Sequence, residues 1–177
     1  GMSEQKLPRI NVMEPWLGAE ETDAVAAVIA SGWVAQGPRV AQFESAYAEA
    51  MGVPHAVATS SCTTALHLAL VIAGIGPGDE VIVPSFSFIA TTNAVHYVGA
   101  QPVFADVDPL TGNITGAEVA KNLTSATRAV IAVDQGGVPV DLDEIRAVAD
   151  PLGIVVIEDA ACGAGSTYKG GPVGARS

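Results

Sequence analysis

The chain has 177 residues, of which 19 are Asp or Glu and 8 are Lys or Arg, for a formal charge of −11. That balance argues against a nucleic-acid partner, whose phosphates require clustered Lys and Arg, and no apolar run reaches the roughly 18 residues of a membrane span. Two cysteines, Cys62 and Cys162, make no disulfide framework and point to a reducing, cytoplasmic setting.

Hydrophobic residues make up 49% of the chain and charged residues 15%, with a mean hydropathy of +0.38. Such a composition suits a sheet buried on both faces, or a chain that buries further surface against a partner.

In chain order, residues 1–18 read as an extended arm and residues 19–177 as the main body. Val25, Val28 and Ile29 follow an acidic first turn at helical spacing and predict a helix over 20–30, ended by Ser31-Gly32. Pro38 opens a second helix over 39–51, closed by Gly52. His55 to Thr59 reads as a short strand, followed by Ser60-Ser61-Cys62-Thr63 and a helix to Ala73. Strands are then predicted over 80–84, 101–106, 128–133 and 153–157, alternating with helices over 90–98, 116–123 and 142–152. The alternation implies an α/β fold, a three-layer αβα arrangement around a mostly parallel sheet. The stretch from Tyr168 onward is Gly-rich without a capping element, and Lys169 in it reads as part of a surface turn.

Three constellations carry chemistry. In Thr59-Ser60-Ser61-Cys62-Thr63-Thr64, free amides at a helix start, the helix dipole and clustered hydroxyls make a phosphate cradle. The same residues also suit an ordinary helix cap. Pro84-Ser85-Phe86-Ser87-Phe88 leaves a buried strand at the same sheet end and offers rings that could stack on a flat ligand, although Phe86 also reads as a core residue. Gly153 to Glu158-Asp159-Ala160-Ala161 brings a carboxylate to a strand end among small neighbours. Open parallel sheets bind ligands there, and an enclosed acid calls for a cationic partner. His55, His67 and His96 lack paired metal-ligand spacing, so no metal is expected. A phosphate cradle, a stacking ring and a carboxylate able to face a protonated pyridine nitrogen together suit pyridoxal 5′-phosphate.

These residues also resemble a family. Ser31-Gly32-Trp33 with Gly37-Pro38 and Phe43-Glu44, then Ser61-Cys62-Thr63-Thr64-Ala65-Leu66-His67, Gly76-Pro77-Gly78-Asp79-Glu80, the Phe86/Phe88 segment and Glu158-Asp159-Ala160-Ala161 are similar to the amino-terminal region of the DegT/DnrJ/EryC1/StrS sugar aminotransferases. The resemblance implies the large domain of the aspartate-aminotransferase type (fold type I), in part only, and a homodimer that passes an amino group from glutamate to a keto-sugar nucleotide. It implies that Cys62 and Thr63 hold the phosphate, Phe88 stacks on the ring, Asp159 pairs with the ring nitrogen and Cys162 lies near the ring's far face, where the family usually has His or Gln. The family's Schiff-base lysine lies in a segment of the type Ser-Phe-His-x-x-Lys that this stretch does not include. The lysines here are Lys6, Lys121 and Lys169. Two other readings stay open: a non-catalytic binding or regulatory protein on the same scaffold, and a related sugar dehydratase with histidine in place of lysine. A nicotinamide site at Gly74-x-Gly76-x-Gly78 is disfavoured, because the segment precedes a strand instead of following one.

Overall fold

The computed structural model describes residues 9–11 and 13–176. The chain divides into two compact units, one reaching to Phe43 and one running from Glu44.

In the first unit, residues 9–11 and 13–18 form no helix or strand, and residues 1–8 and 12 of the expected arm lie outside the described residues. Helix α1 (Ala19–Ser31) starts where the Glu21 carboxylate accepts the Gly18 amide at 2.7 Å, and Gly32 ends it at φ 73°. Its apolar stripe does not become core: Val25 and Ile29 remain exposed. Helix α2 (Pro38–Met51) follows as expected from its proline, with Gly52 at φ 64° closing it.

The second unit is built on a four-stranded sheet in the order β2-β1-β3-β4, every pair parallel. The strands are β1 (Glu80–Pro84), β2 (Gln101–Ala105), β3 (Thr127–Val133) and β4 (Val155–Asp159). Helices α3 (Cys62–Ile72) and α4 (Ala90–Tyr97) cover one face, and α5 (Gly116–Lys121) and α6 (Leu142–Ala149) the other. Alternation along the strands sorts the core into two layers. Val81, Val83, Ala129 and Ile131 meet Leu66, Leu70, Ala94 and Val95, whereas Ile82, Val130 and Ala132 meet Val119, Leu142, Ile145 and Ala149. This is the expected three-layer α/β fold.

Three local expectations change. Residues 55–59 are not a strand. A strand needs a ladder partner, and here the Ala58 amide is held instead by the Glu44 carboxylate at 2.8 Å, with Val57 74% exposed. The long helix expected over 142–152 stops at Ala149 and tightens into a 3₁₀ turn around Pro151, which Gly153 closes at φ 66°. That moves β4 two residues onward, so that Asp159 is its last residue. The Gly-rich end, read as a turn at Lys169, holds a small hairpin of β5 (Thr167–Tyr168) and β6 (Gly171–Pro172). Lys169 (φ 47°) and Gly170 (φ 80°) make its turn, the double positive φ of a tight hairpin.

Candidate functional site

The site lies at the carboxyl end of the parallel sheet, where β1, β3 and β4 discharge into loops. In β4, Ile157 packs into the α3/α4 layer and Val156 into the α5/α6 layer. By the same alternation Asp159 faces α3 and Glu158 faces the opposite layer.

Helix α3 begins with Ser61, whose hydroxyl accepts the Thr64 amide at 3.1 Å. Ser60 and Ser61 hydroxyls each lie 3.0 Å from Thr64 Oγ1, and Thr59 Oγ1 donates to the Ser61 carbonyl at 2.9 Å. Ser61 thus caps the helix through Thr64, and the first amides of a helix, those of Cys62 and Thr63 here, have no acceptor within it.

Cys62 ties this helix start to β4: its thiol donates to Asp159 Oδ1 across 3.5 Å, and the Ala161 amide donates to the same oxygen at 3.1 Å. Burial, and then the Asp159 charge beside it, push the Cys62 thiol up to about 11. Cys62 is therefore a neutral hydrogen-bond donor and no nucleophile at neutral pH.

Phe88 stands in the loop after β1 and is 76% exposed. β1 and β4 flank β3, so their ends stand about 10 Å apart at ordinary strand spacing. Phe86, expected in the core, is also exposed and lies along Gly112. The Ser85 amide still donates to the Ala105 carbonyl at 2.8 Å, and further along the loop the Ser87 and Thr91 hydroxyls lie 2.7 Å apart. Cys162 is exposed in the turn after β4. Its carbonyl lies 2.8 Å from where a Cβ on Gly137 would sit, and Gly137 has φ 84°, so only glycine fits there.

Two acids escaped the sequence reading. Asp134 follows β3, is fully buried, and accepts the Val140 amide at 2.8 Å. Burial holds its carboxyl above the ordinary range. Glu158 accepts the Gly174 amide at 2.8 Å, and burial, then the charge of Asp134, push it up to about 7. The signal was available: Asp134 ends a run of apolar strand residues just as Asp159 does.

The other candidates fall outside this edge. His67 meets Tyr97 with the rings tilted at 58° and their centroids 5.4 Å apart, a helix-to-helix contact. Lys121 pairs with Glu118 at 3.2 Å on α5, and Lys169, in the hairpin turn, pairs with Asp143. Lys6 lies outside the described residues. Gly74 and Gly78 occupy the turn between α3 and β1, both at positive φ. Among the described residues no His, Cys, Asp and Glu gather as a metal site, and no helix is long and apolar enough to cross a membrane.

A sequence model of the DegT/DnrJ/EryC1/StrS aminotransferase family matches residues 15–177. The chain belongs to that family. Solved structures agree with the assignment. An aminotransferase from Psychrobacter cryohalolentis is 43% identical, with a TM-score of 0.87 over 90% of this chain and 41% of its own. The aminotransferase TlmJ from Streptoalloteichus hindustanus is 42% identical, with a TM-score of 0.86 over 94% of this chain and 46% of its own. A candidate sugar aminotransferase from Streptococcus pneumoniae, solved in a PLP-form, is 30% identical, with a TM-score of 0.85 over 90% of this chain and 45% of its own. The chain thus spans less than half the length of these family members. Its three-layer fold is the one that the fold type I aminotransferases of the family share with it.

Proposed function

We propose that this chain supplies cofactor-binding residues of a pyridoxal-phosphate-dependent aminotransferase. In this reading the enzyme works as a homodimer and moves an amino group from glutamate to a keto-sugar nucleotide. The observation that carries the reading is the 3.5 Å link between Cys62 at the start of α3 and Asp159 at the end of β4. It sets an anion-binding helix start beside a carboxylate, as a ligand with a phosphate at one end and a basic ring nitrogen at the other requires. The PLP-form of the Streptococcus pneumoniae relative supports the choice of ligand.

The residues present fit that group. Amides of Cys62 and Thr63, with the Thr63 hydroxyl, would hold the phosphate in the field of the helix dipole. Phe88, exposed over the sheet edge, would stack on the ring. Asp159 would accept the N–H of the ring nitrogen and so keep its proton in place. The Cys62 thiol and the Ala161 amide orient the carboxylate by holding one of its oxygens. Cys162, in the turn after β4, would approach the ring's other side. Bound there, pyridoxal phosphate supplies an electron sink and a carbonyl that takes up and gives back an amino group. The outer face of α3, where Leu68, Val71 and Ile72 are exposed, supports burial against further protein, as a dimer or a larger domain would provide.

The test is titration of the full-length polypeptide with pyridoxal phosphate, followed by absorbance, and then assay with glutamate and keto-sugar nucleotides. Saturable binding with amino transfer is expected. Saturable binding of the phosphate-free analogue alone, or none at all, would remove the reading.

A further inference from the structure

Asp134 has no solvent exposure. Its Oδ1 accepts the Val140 amide at 2.8 Å, while Oδ2 meets no N–H or O–H donor. The side chain that interacts with Asp134 is that of a second acid, Glu158, which the Gly174 amide holds at 2.8 Å on Oε2. The register explains the encounter. Glu158 lies opposite Ala132 on the neighbouring strand, and Asp134 comes two residues later on the same face. Among the described residues, the pair's hydrogen-bond donors are two amides, Val140 from the segment before α6 and Gly174 from the carboxyl-terminal loop, and the further charge acting on Asp134 is that of Asp159, from the other face of the sheet. The ion pairs of the described residues engage Lys121, Arg128, Arg146 and Lys169 elsewhere.

Two ionised carboxylates in that position would repel each other and strand a buried acceptor. One proton between them removes both costs. We propose that Asp134 and Glu158 bind a single proton between them and act as a latch that fastens residues 160–174 to the ends of β3 and β4. Two points of that segment lie close to the pair. The Gly174 amide sits on Glu158, and a Cβ at Gly163 would lie 3.2 Å from Asp134 Oδ2 and 2.7 Å from Val173 Cγ2. The shared proton is a property of the chain alone. Its bearing on a cofactor, through the turn that carries Cys162, rests on the aminotransferase reading. With Glu158 pushed up to about 7, the latch is closed in mildly acidic solution and opens as the pH passes neutrality.

The experiment uses the full-length polypeptide without cofactor. Infrared difference spectra should show a protonated-carboxyl C=O band at pH 6 that is gone at pH 8.5 and is missing from both Glu158→Gln and Asp134→Asn. Amide exchange across 160–174, corrected for intrinsic rate, should lose protection by about tenfold or more over the same range. Glu158→Gln, whose amide can donate to Asp134 at any pH, should keep its protection. No such band at pH 6, or a band that survives in both variants, would overturn the latch. Because no pyridoxal phosphate is present, that result is independent of whether the cofactor reading stands.

Discussion

Glu158 and Asp159 are neighbours in sequence whose carboxylates serve opposite faces of the sheet. Asp159 is joined to α3 through Cys62 at 3.5 Å, and Glu158 is joined to the far loop through Gly174 at 2.8 Å. The period of two in a strand makes this unavoidable. It also separates the two proposed roles, Asp159 toward the cofactor at the helix start and Glu158 toward the loop behind it. Replacing Asp159 by Ala in the full-length enzyme should therefore cut amino transfer by roughly a thousandfold, equivalent to about 4 kcal/mol of barrier. Steady-state kinetics measures this, and a loss of less than about tenfold would remove Asp159 from its role.

Thr63 should act on affinity more than on turnover. Its hydroxyl can donate one charge-assisted hydrogen bond to a phosphate, worth about 1.5–3 kcal/mol. Thr63→Val should then weaken pyridoxal phosphate binding by about tenfold or more, read by equilibrium dialysis, while unfolding of the cofactor-free protein changes little.

Cys62 is exposed yet should be sluggish. With its thiol pushed from 9.0 up to about 11 by burial and by Asp159, the thiolate fraction near pH 8 falls by about a hundredfold. Alkylation followed by mass spectrometry should find Cys62 far slower than an ordinary thiol, and Asp159→Asn should speed it. Reaction of Cys62 at an ordinary rate would contradict the hydrogen bond to Asp159.

Glycine at 163 is required by close approach. An added Cβ would lie 2.7 Å from Cγ2 of the buried, stiff Val173. Gly163→Ala should destabilise the fold by about 1–3 kcal/mol, the usual range for overpacking, seen as a lower urea midpoint with an unchanged slope.

The acid pair gives stability a direction with pH. Glu158 and Asp134 are both raised in the folded state, so between the ordinary carboxylate value and about 7 the native chain holds more protons than the unfolded one. Stability must then fall as pH rises through that window and level off above it. Urea unfolding at a series of pH values should show this slope in the wild type and a flatter one in Glu158→Gln.

Much of this was legible in the residues. The apolar runs at 80–84 and 128–133 are buried on both faces for most of their length, and the run at 153–157 is a half-buried edge; all three gave a strong signal and contribute strands to one parallel sheet. The Thr59–Thr64 stretch and Asp159 stood out because helix starts and strand ends concentrate polar groups, and the Phe86/Phe88 loop because it offers rings at the same sheet end; the roles given to Cys62, Thr63, Phe88 and Cys162 came from the family resemblance. What failed depended on partners that local pattern does not encode. Val57 sits in a sequence fit for a strand but has no ladder to join among the described residues, and the stripe of Val25 and Ile29 is amphipathic without being buried. Phe86 looked like core by size alone. Asp134 was overlooked because its meaning comes from Glu158 on the neighbouring strand, a contact between residues 24 positions apart.

The most direct test of the account is the ¹⁵N resonance of the pyridine nitrogen in pyridoxal phosphate bound to the full-length polypeptide at pH 8. The account predicts a protonated nitrogen in the wild type and a neutral one in Asp159→Asn. A neutral nitrogen in the wild type, or a protonated one in both, would contradict it.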